Sequence, residues 1–248
     1  MPKEQLPLQP KPKKRKSNKT RKCGFLNMQS IQLFQVNFQR IEELIDFHRT
    51  RFPVGRPVAG GPEADLLRAT LVFGVASFDA YLHRRIIEVV KMMLLRKKIS
   101  KQSINKILSA LKMSDSERAG YLINSIVRGD ASKEILRLFE DSLDFKTFQN
   151  PQQIEDGFDM MEVKDVWRKL TRHSRPSTGP RRRGRAPQVK TFLKELTDRR
   201  NEIVHKNDMY FGDRYHGRIR PIGRNYVDTS LKRLRRIVYA IEKISEPI

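Results

Sequence analysis

Cys23 is the only cysteine among 248 residues, which excludes a disulfide framework and a cysteine-based zinc site. Long apolar runs are missing as well. No stretch reaches 18 uninterrupted apolar residues, which argues against a membrane span. The basic run 11–22 leads into no apolar segment of the kind a secretory leader needs. A Walker-type phosphate loop and a dinucleotide fingerprint are both absent. The five histidines (His48, His83, His173, His205, His216) lack the close spacing of a metal site. The expectation is a soluble cytoplasmic protein with no cofactor, no metal and no membrane partner.

Acids are the other scarcity. The chain has 28 Asp+Glu against 51 Lys+Arg, a formal net charge of +23, and such an excess points to a polyanionic partner. The excess is local. Residues 3–22 carry net +8, residues 172–190 net +7 and residues 199–236 net +7, so the remainder is close to neutral at +1. A peripheral membrane protein is disfavoured, because no basic amphipathic helix coincides with these segments.

Hydrophobic periodicity predicts an all-α fold. Residues 1–24 read as a disordered basic tail, too poor in apolar side chains to offset the entropy of ordering. Residues 25–248 read as a single helical domain. Ile31, Phe34, Phe38, Ile41 and Ile45 recur at helical spacing. Pro62 at a first helical position, followed by Glu63, opens a long helix to about Lys98 that is apolar around much of its circumference, and so should be central. Shorter helices are expected around Ile104–Leu111, after Ser114 as far as Gly129, around Ile135–Leu143 and over residues 160–170, with 145–157 irregular. Residues 171–188, rich in Arg, Pro and Gly, read as a mobile loop. Two helices follow, over 189–205 and 228–244, the second capped by Asp228 or Thr229.

The segment Asp198-Arg-Arg-Asn-Glu-Ile-Val-His205 stands out chemically. Successive helical residues are separated by about 100°, so Asn201 and His205 share a face and Arg200 approaches from its side. Arg and His are the pair that metal-free RNA cleavage needs. Imidazole exchanges protons near neutral pH, and guanidinium stabilises the charge that builds on the phosphoryl oxygens. The spacing alone is weak, because Arg168 and His173 repeat it. Context favours the later pair: Arg200 is followed by an amide, and Ile203 and Val204 are placed to anchor its helix. Tyr210, Phe211, Tyr215 and Tyr226 interleave with arginines beyond it, a mixture suited to single-stranded RNA or simply to holding the loop in place.

Arg200-Asn201-x-x-x-His205 resembles the Arg-x4–6-His signature of the HEPN superfamily. The earlier segment Val72-Phe-Gly-Val-Ala-Ser-Phe-Asp-Ala-Tyr-Leu-His83 is similar to the long helix of its RiboL-PSP-like group. The resemblance spans roughly residues 30–245, with a middle insertion over about 100–188. It implies an all-α, HEPN-like helical bundle acting as a metal-independent endoribonuclease. Homodimers whose motifs line one cleft are the rule in that superfamily, often in bacterial toxin–antitoxin or phage-defence systems with a partner such as an antitoxin. By the same likeness Arg200 and His205 map onto the catalytic pair, Asn201 onto the polar position and Asp79 loosely onto a supporting acid. Candidate RNA contacts are Arg181, Arg182, Arg183, Arg185, Arg199, Arg214, Arg218, Arg220 and Arg224. The alternative is a helical module that binds RNA, DNA or a protein partner without cutting.

Overall fold

The computed structural model describes residues 29–53, 56–110, 131–144, 146–174, 189–210 and 217–246, with isolated positions between 114 and 129. The basic tail, residues 175–188 of the loop expected over 171–188 and the helix expected after Ser114 lie outside the described residues or are described only at scattered positions, while residues 171–173 are helical, not loop. Eight helices are present among the described residues: α1 (Ser30–Arg51), α2 (Pro62–Leu95), α3 (Lys101–Ala110), α4 (Ala131–Leu143), α5 (Pro151–Met160), α6 (Val166–His173), α7 (Val189–Lys206) and α8 (Arg224–Ile244). No strand occurs among them. Two isolated antiparallel bridges, Val58 with Ile222 and Met209 with Ile219, tie loops together. The fold is all-α.

The central position expected of α2 is observed. It touches α1, α4, α5, α7 and α8, and buries Leu67, Leu71, Val75, Phe78, Tyr81, Leu82 and Ile86 on several faces. Helix α1 presents the predicted stripe of Phe34, Phe38, Ile41 and Ile45. Its first turn is closed from outside by Glu88 of α2, whose carboxylate accepts from the Ser30 amide and hydroxyl at 2.6 Å each. Helix α8 lies against α1 and α2 through Leu231, Leu234, Val238 and Ile241. At Gly74 of α2 the Leu231 side chain of α8 packs directly against the backbone, since a Cβ built there would fall 2.2 Å from Leu231 Cδ2. No described helix is long and apolar enough to cross a membrane.

Three expectations about boundaries are corrected. Residues 151–160 form a helix, because Pro151 serves as a first helical residue and the Asn150 side chain caps it by accepting from the Gln153 amide at 2.9 Å. The helix expected over 160–170 starts instead at Val166, after Asp165 in a left-handed conformation. Helix α8 begins four residues early, with Gly223 as its N-cap and Val227 already buried, while Asp228 pairs with Lys232 at 2.7 Å. The middle region is part of the core. Phe139, Leu143, Phe148, Ile154 and Phe158 are all buried with the residues of α1 and α2.

Tyr81 offers a test of this packing. It is fully buried, donates to Glu242 Oε1 at 2.7 Å and meets Phe34 edge-on at 5.7 Å. Burial, reinforced by the Glu242 charge, pushes its phenol well above the ordinary value of 10.0. Below that value the phenol is protonated in both the folded and the unfolded chain, and its full contribution to stability is present. Above it the unfolded chain releases its proton first, so stability falls. Tyr81→Phe is expected to flatten that alkaline loss and to cost about 1–3 kcal/mol near neutrality, because Glu242 loses a buried donor. Urea melts on either side of about pH 10 measure both effects. Parallel pH slopes for the two proteins would contradict the assignment.

Candidate functional site

Helix α7 carries the Arg200 segment, and its burial pattern explains where that segment sits. Val189, Phe192, Leu193 and Leu196 face the core at helical spacing, joined by Thr197 and Arg199. Beyond Arg199 the helix leaves the core. Arg200, Asn201, Glu202 and Ile203 are half-buried, and Val204, His205 and Lys206 are exposed. The anchoring role expected of Val204 is therefore corrected, since it is 44% exposed, whereas Ile203 does pack against the core. The helix ends where Asn207 and Asp208 adopt positive φ of 50° and 58°. The Asp208 amide reaches back to the Glu202 carbonyl at 3.0 Å.

Arg200 Nη1 donates to Asn201 Oδ1 at 3.0 Å, so the amide fixes the guanidinium rather than the imidazole. Arg200 Nε is buried without a protein partner among the described residues. His205 projects from the last turn with its ring in solvent. The competing pair is occupied locally: Arg168 pairs with Asp165 at 2.6 Å, and His173 Nδ1 lies 2.9 Å from the Lys169 carbonyl. His48 is buried and His83 half-buried. His83 Nε2 lies 2.7 Å from the Lys146 carbonyl, and His48 is buried beside Phe52.

Arg199 is corrected. It is 8% exposed and its Nη2 donates to Asp208 Oδ2 at 2.8 Å and to the Pro221 carbonyl at 3.3 Å, so it is no surface phosphate contact. Arg220 pairs with Glu202, one turn before His205, and stacks over the Tyr210 ring with its guanidinium carbon 5.4 Å from the centroid. Burial, then the nearby Arg199 charge, lowers its pKa from the ordinary arginine value. Arg224 donates to the carbonyls of Phe52 at 3.0 Å and Pro53 at 3.3 Å, clamping the exit of α1 to the start of α8. Arg218 is exposed. Arg181, Arg182, Arg183, Arg185 and Arg214 lie outside the described residues.

Asp79 is a brace. Its carboxylate accepts from the Phe148 amide at 2.5 Å and from Gln149 Nε2 at 3.0 Å, and the Gln149 carbonyl accepts from Thr197 Oγ1 on α7 at 2.7 Å. It supports the helix that carries Arg200 through one intervening residue. Two residues escaped sequence reasoning, Asp208 and Arg68. Asp208 is fully buried and takes Arg68 Nε on Oδ2 at 2.8 Å, on the same oxygen as Arg199. The one available signal was the oddity of an acid within so basic a stretch.

Among the described residues no group of three His, Cys, Asp or Glu side chains is placed to hold a metal ion. Comparison with curated proteins and with solved structures returns no match. A family model does match, and it runs over residues 35–245, from the second turn of α1 to the end of α8 with the whole Arg200–His205 segment inside it. The match covers most of the chain, and the chain belongs to the RiboL-PSP-HEPN family.

Proposed function

We propose that this protein is an endoribonuclease that cleaves RNA without a metal ion, with Arg200 and His205 as its catalytic residues. HEPN domains are in general nucleases that act on RNA, and one observation here carries the reading. Arg200, held by Asn201, and the exposed His205 lie five residues apart on the last turns of α7, where that helix leaves the core. The RNA 2′-oxygen attacks the adjacent phosphorus and the bond to the 5′-oxygen breaks. One proton leaves the 2′-hydroxyl and another reaches the departing 5′-oxygen. Imidazole serves such transfers near neutral pH. The Arg200 guanidinium faces the charge that grows on the non-bridging oxygens. The products are a 2′,3′-cyclic phosphate and a 5′-hydroxyl.

The step needs both a proton acceptor and a proton donor, and a homodimer that brings two copies of the pair to one cleft supplies both. We place the activity in a bacterial toxin–antitoxin or phage-defence role in the cytoplasm, with an antitoxin-like partner holding it in check. The exposed Arg218, whose carbonyl accepts from the Tyr210 amide at 2.9 Å just beyond α7, supports contact with the phosphate backbone, which is sensitive to salt and indifferent to sequence.

The test is the fate of an RNA oligonucleotide in EDTA. Cleavage is expected to persist, to leave cyclic phosphate ends and to vanish at a linkage whose 2′-hydroxyl is replaced by hydrogen. Cutting of the 2′-deoxy linkage at an equal rate would exclude the mechanism. Salt-sensitive binding with no scission would favour the module that binds without cutting.

A further inference from the structure

We propose that Asp208 is a positioning residue for the Arg200/His205 pair, an inference that rests on the nuclease reading above. Three features of the cluster around Asp208 lead to it.

The first is the concentration of charge. Asp208 is 0% exposed, yet its Oδ2 accepts from two guanidiniums, Arg68 Nε and Arg199 Nη2, each at 2.8 Å. Both arginines are themselves buried. Burying charged groups is tolerated only when they are paired and hydrogen-bonded. Of the remaining partners, only Asp65 is charged. Arg68 Nη1 reaches it at 3.0 Å, and Arg68 Nη2 reaches the carbonyls of Ala59 at 2.6 Å and Arg220 at 2.9 Å. Among the described residues Asp208 is thus the one buried acid that balances two buried cations.

The second is what the cluster joins. Arg68 belongs to the first turns of α2, Arg199 to α7, and the carbonyls of Arg220 and Pro221 to the segment leading into α8. Backbone bonds add to this. The Asp208 amide donates to the Glu202 carbonyl at 3.0 Å and the Asp208 carbonyl accepts from the Arg220 amide at 2.8 Å. One residue therefore fixes the last turn of α7 from both its side chain and its main chain.

The third is its place relative to the chemistry. Asp208 follows His205 by three residues and holds Arg199, the immediate neighbour of Arg200. His205 has no protein partner among the described residues to aim its ring, so the orientation of the helix end sets where the imidazole stands. Asp208 touches no reacting atom. It acts by holding the turn that does.

Asp208→Asn keeps the shape and removes the charge. With the protein shown to be folded at the assay temperature by circular dichroism, kcat for RNA cleavage is expected to fall about 100-fold while KM stays within about threefold. Phe34→Leu, a core change distant from the site, serves as the control for stability and is expected to keep kcat. The imidazole resonance of His205 in two-dimensional NMR is expected to move in Asp208→Asn and to stay in Phe34→Leu. Wild-type kcat together with an unmoved His205 resonance in Asp208→Asn overturns the positioning role and leaves the nuclease reading intact. If wild-type protein cuts no RNA, the nuclease reading fails and the NMR comparison decides on its own: a moved resonance supports the role, an unmoved one overturns it. Should Asp208→Asn not fold, Arg199→Lys, which keeps the charge and loses the forked donor, is judged by the same two criteria.

Discussion

His205→Ala is expected to reduce RNA cleavage by about 10²–10⁴-fold, the range typical of a lost general acid or base. The fold should not suffer, because the ring is exposed on the last turn of α7 and meets no protein partner among the described residues. Thermal unfolding should shift by no more than a degree or two, and RNA affinity should stay within a few-fold. Arg200→Ala is expected to lower the rate by about 10²–10³-fold, as when a donor to a developing oxyanion is removed. Arg200→Lys should recover little of that. Lysine keeps a charge but not the planar fork that can hold Asn201 and a phosphoryl oxygen together. Initial rates on a labelled oligonucleotide, with folding checked in parallel, separate these cases. Equal cleavage by wild type and His205→Ala would end the assignment.

Gly74→Val should be the most damaging single change to the fold, destabilising it by about 3 kcal/mol or more. A helix interior ordinarily gains about 1 kcal/mol when Ala replaces Gly, so a glycine in the middle of α2 needs a reason. The reason is Leu231, whose Cδ2 would stand 2.2 Å from a Cβ at this position. Leu231 is itself buried, so moving its methyl aside disturbs the packing around it. A branched side chain would force α2 and α8 apart and loosen the contacts on both sides of the crossing. The expected signature is a melting temperature lower by about 6–12 °C. The rescue is equally specific: Gly74→Ala combined with Leu231→Ala should be more stable than the sum of the two single changes predicts. Strict additivity would show that the crossing is not the cause.

The same crossing shows what the amino-acid order reveals and what it conceals. Helix α2 could be read from its composition, because apolar residues surround it and only a central helix can cover them all. Helices α1, α4 and α7 were legible for the plainer reason that each has one apolar stripe. Helix α5 was not, since Pro151 reads equally as a breaker and as a first helical residue, and the Asn150 cap decides between them only when its geometry is seen. The start of α8 was misplaced because Asp228 is a good cap by type, yet the helix gains burial of Val227 by starting at Gly223.

At the candidate site, chemistry and family likeness single out Arg200 and His205. They do not reveal the fate of Arg199. Neighbouring arginines on a helix point about 100° apart, and which of them turns inward depends on where a buried acid waits. That acid, Asp208, lies past the end of the helix, where periodicity carries no information. Helical spacing puts Asn201 on the face of His205, yet its side chain accepts from the adjacent Arg200, a choice between two neighbours that only the structure shows.

The path of the chain also sets an order of events during synthesis. Helix α8 packs on α1 and α2, the earliest helices, and the carbonyls of Arg220 and Pro221 that complete the Asp208 cluster immediately precede it. Contacts between such distant parts of a sequence form late, after the intervening chain has been made. A growing polypeptide that has already extruded Arg200 and His205 still lacks the wall that sets α7 in place. Under the proposed nuclease function, that delay would keep the cutting edge unassembled while the ribosome is still reading the message that encodes it.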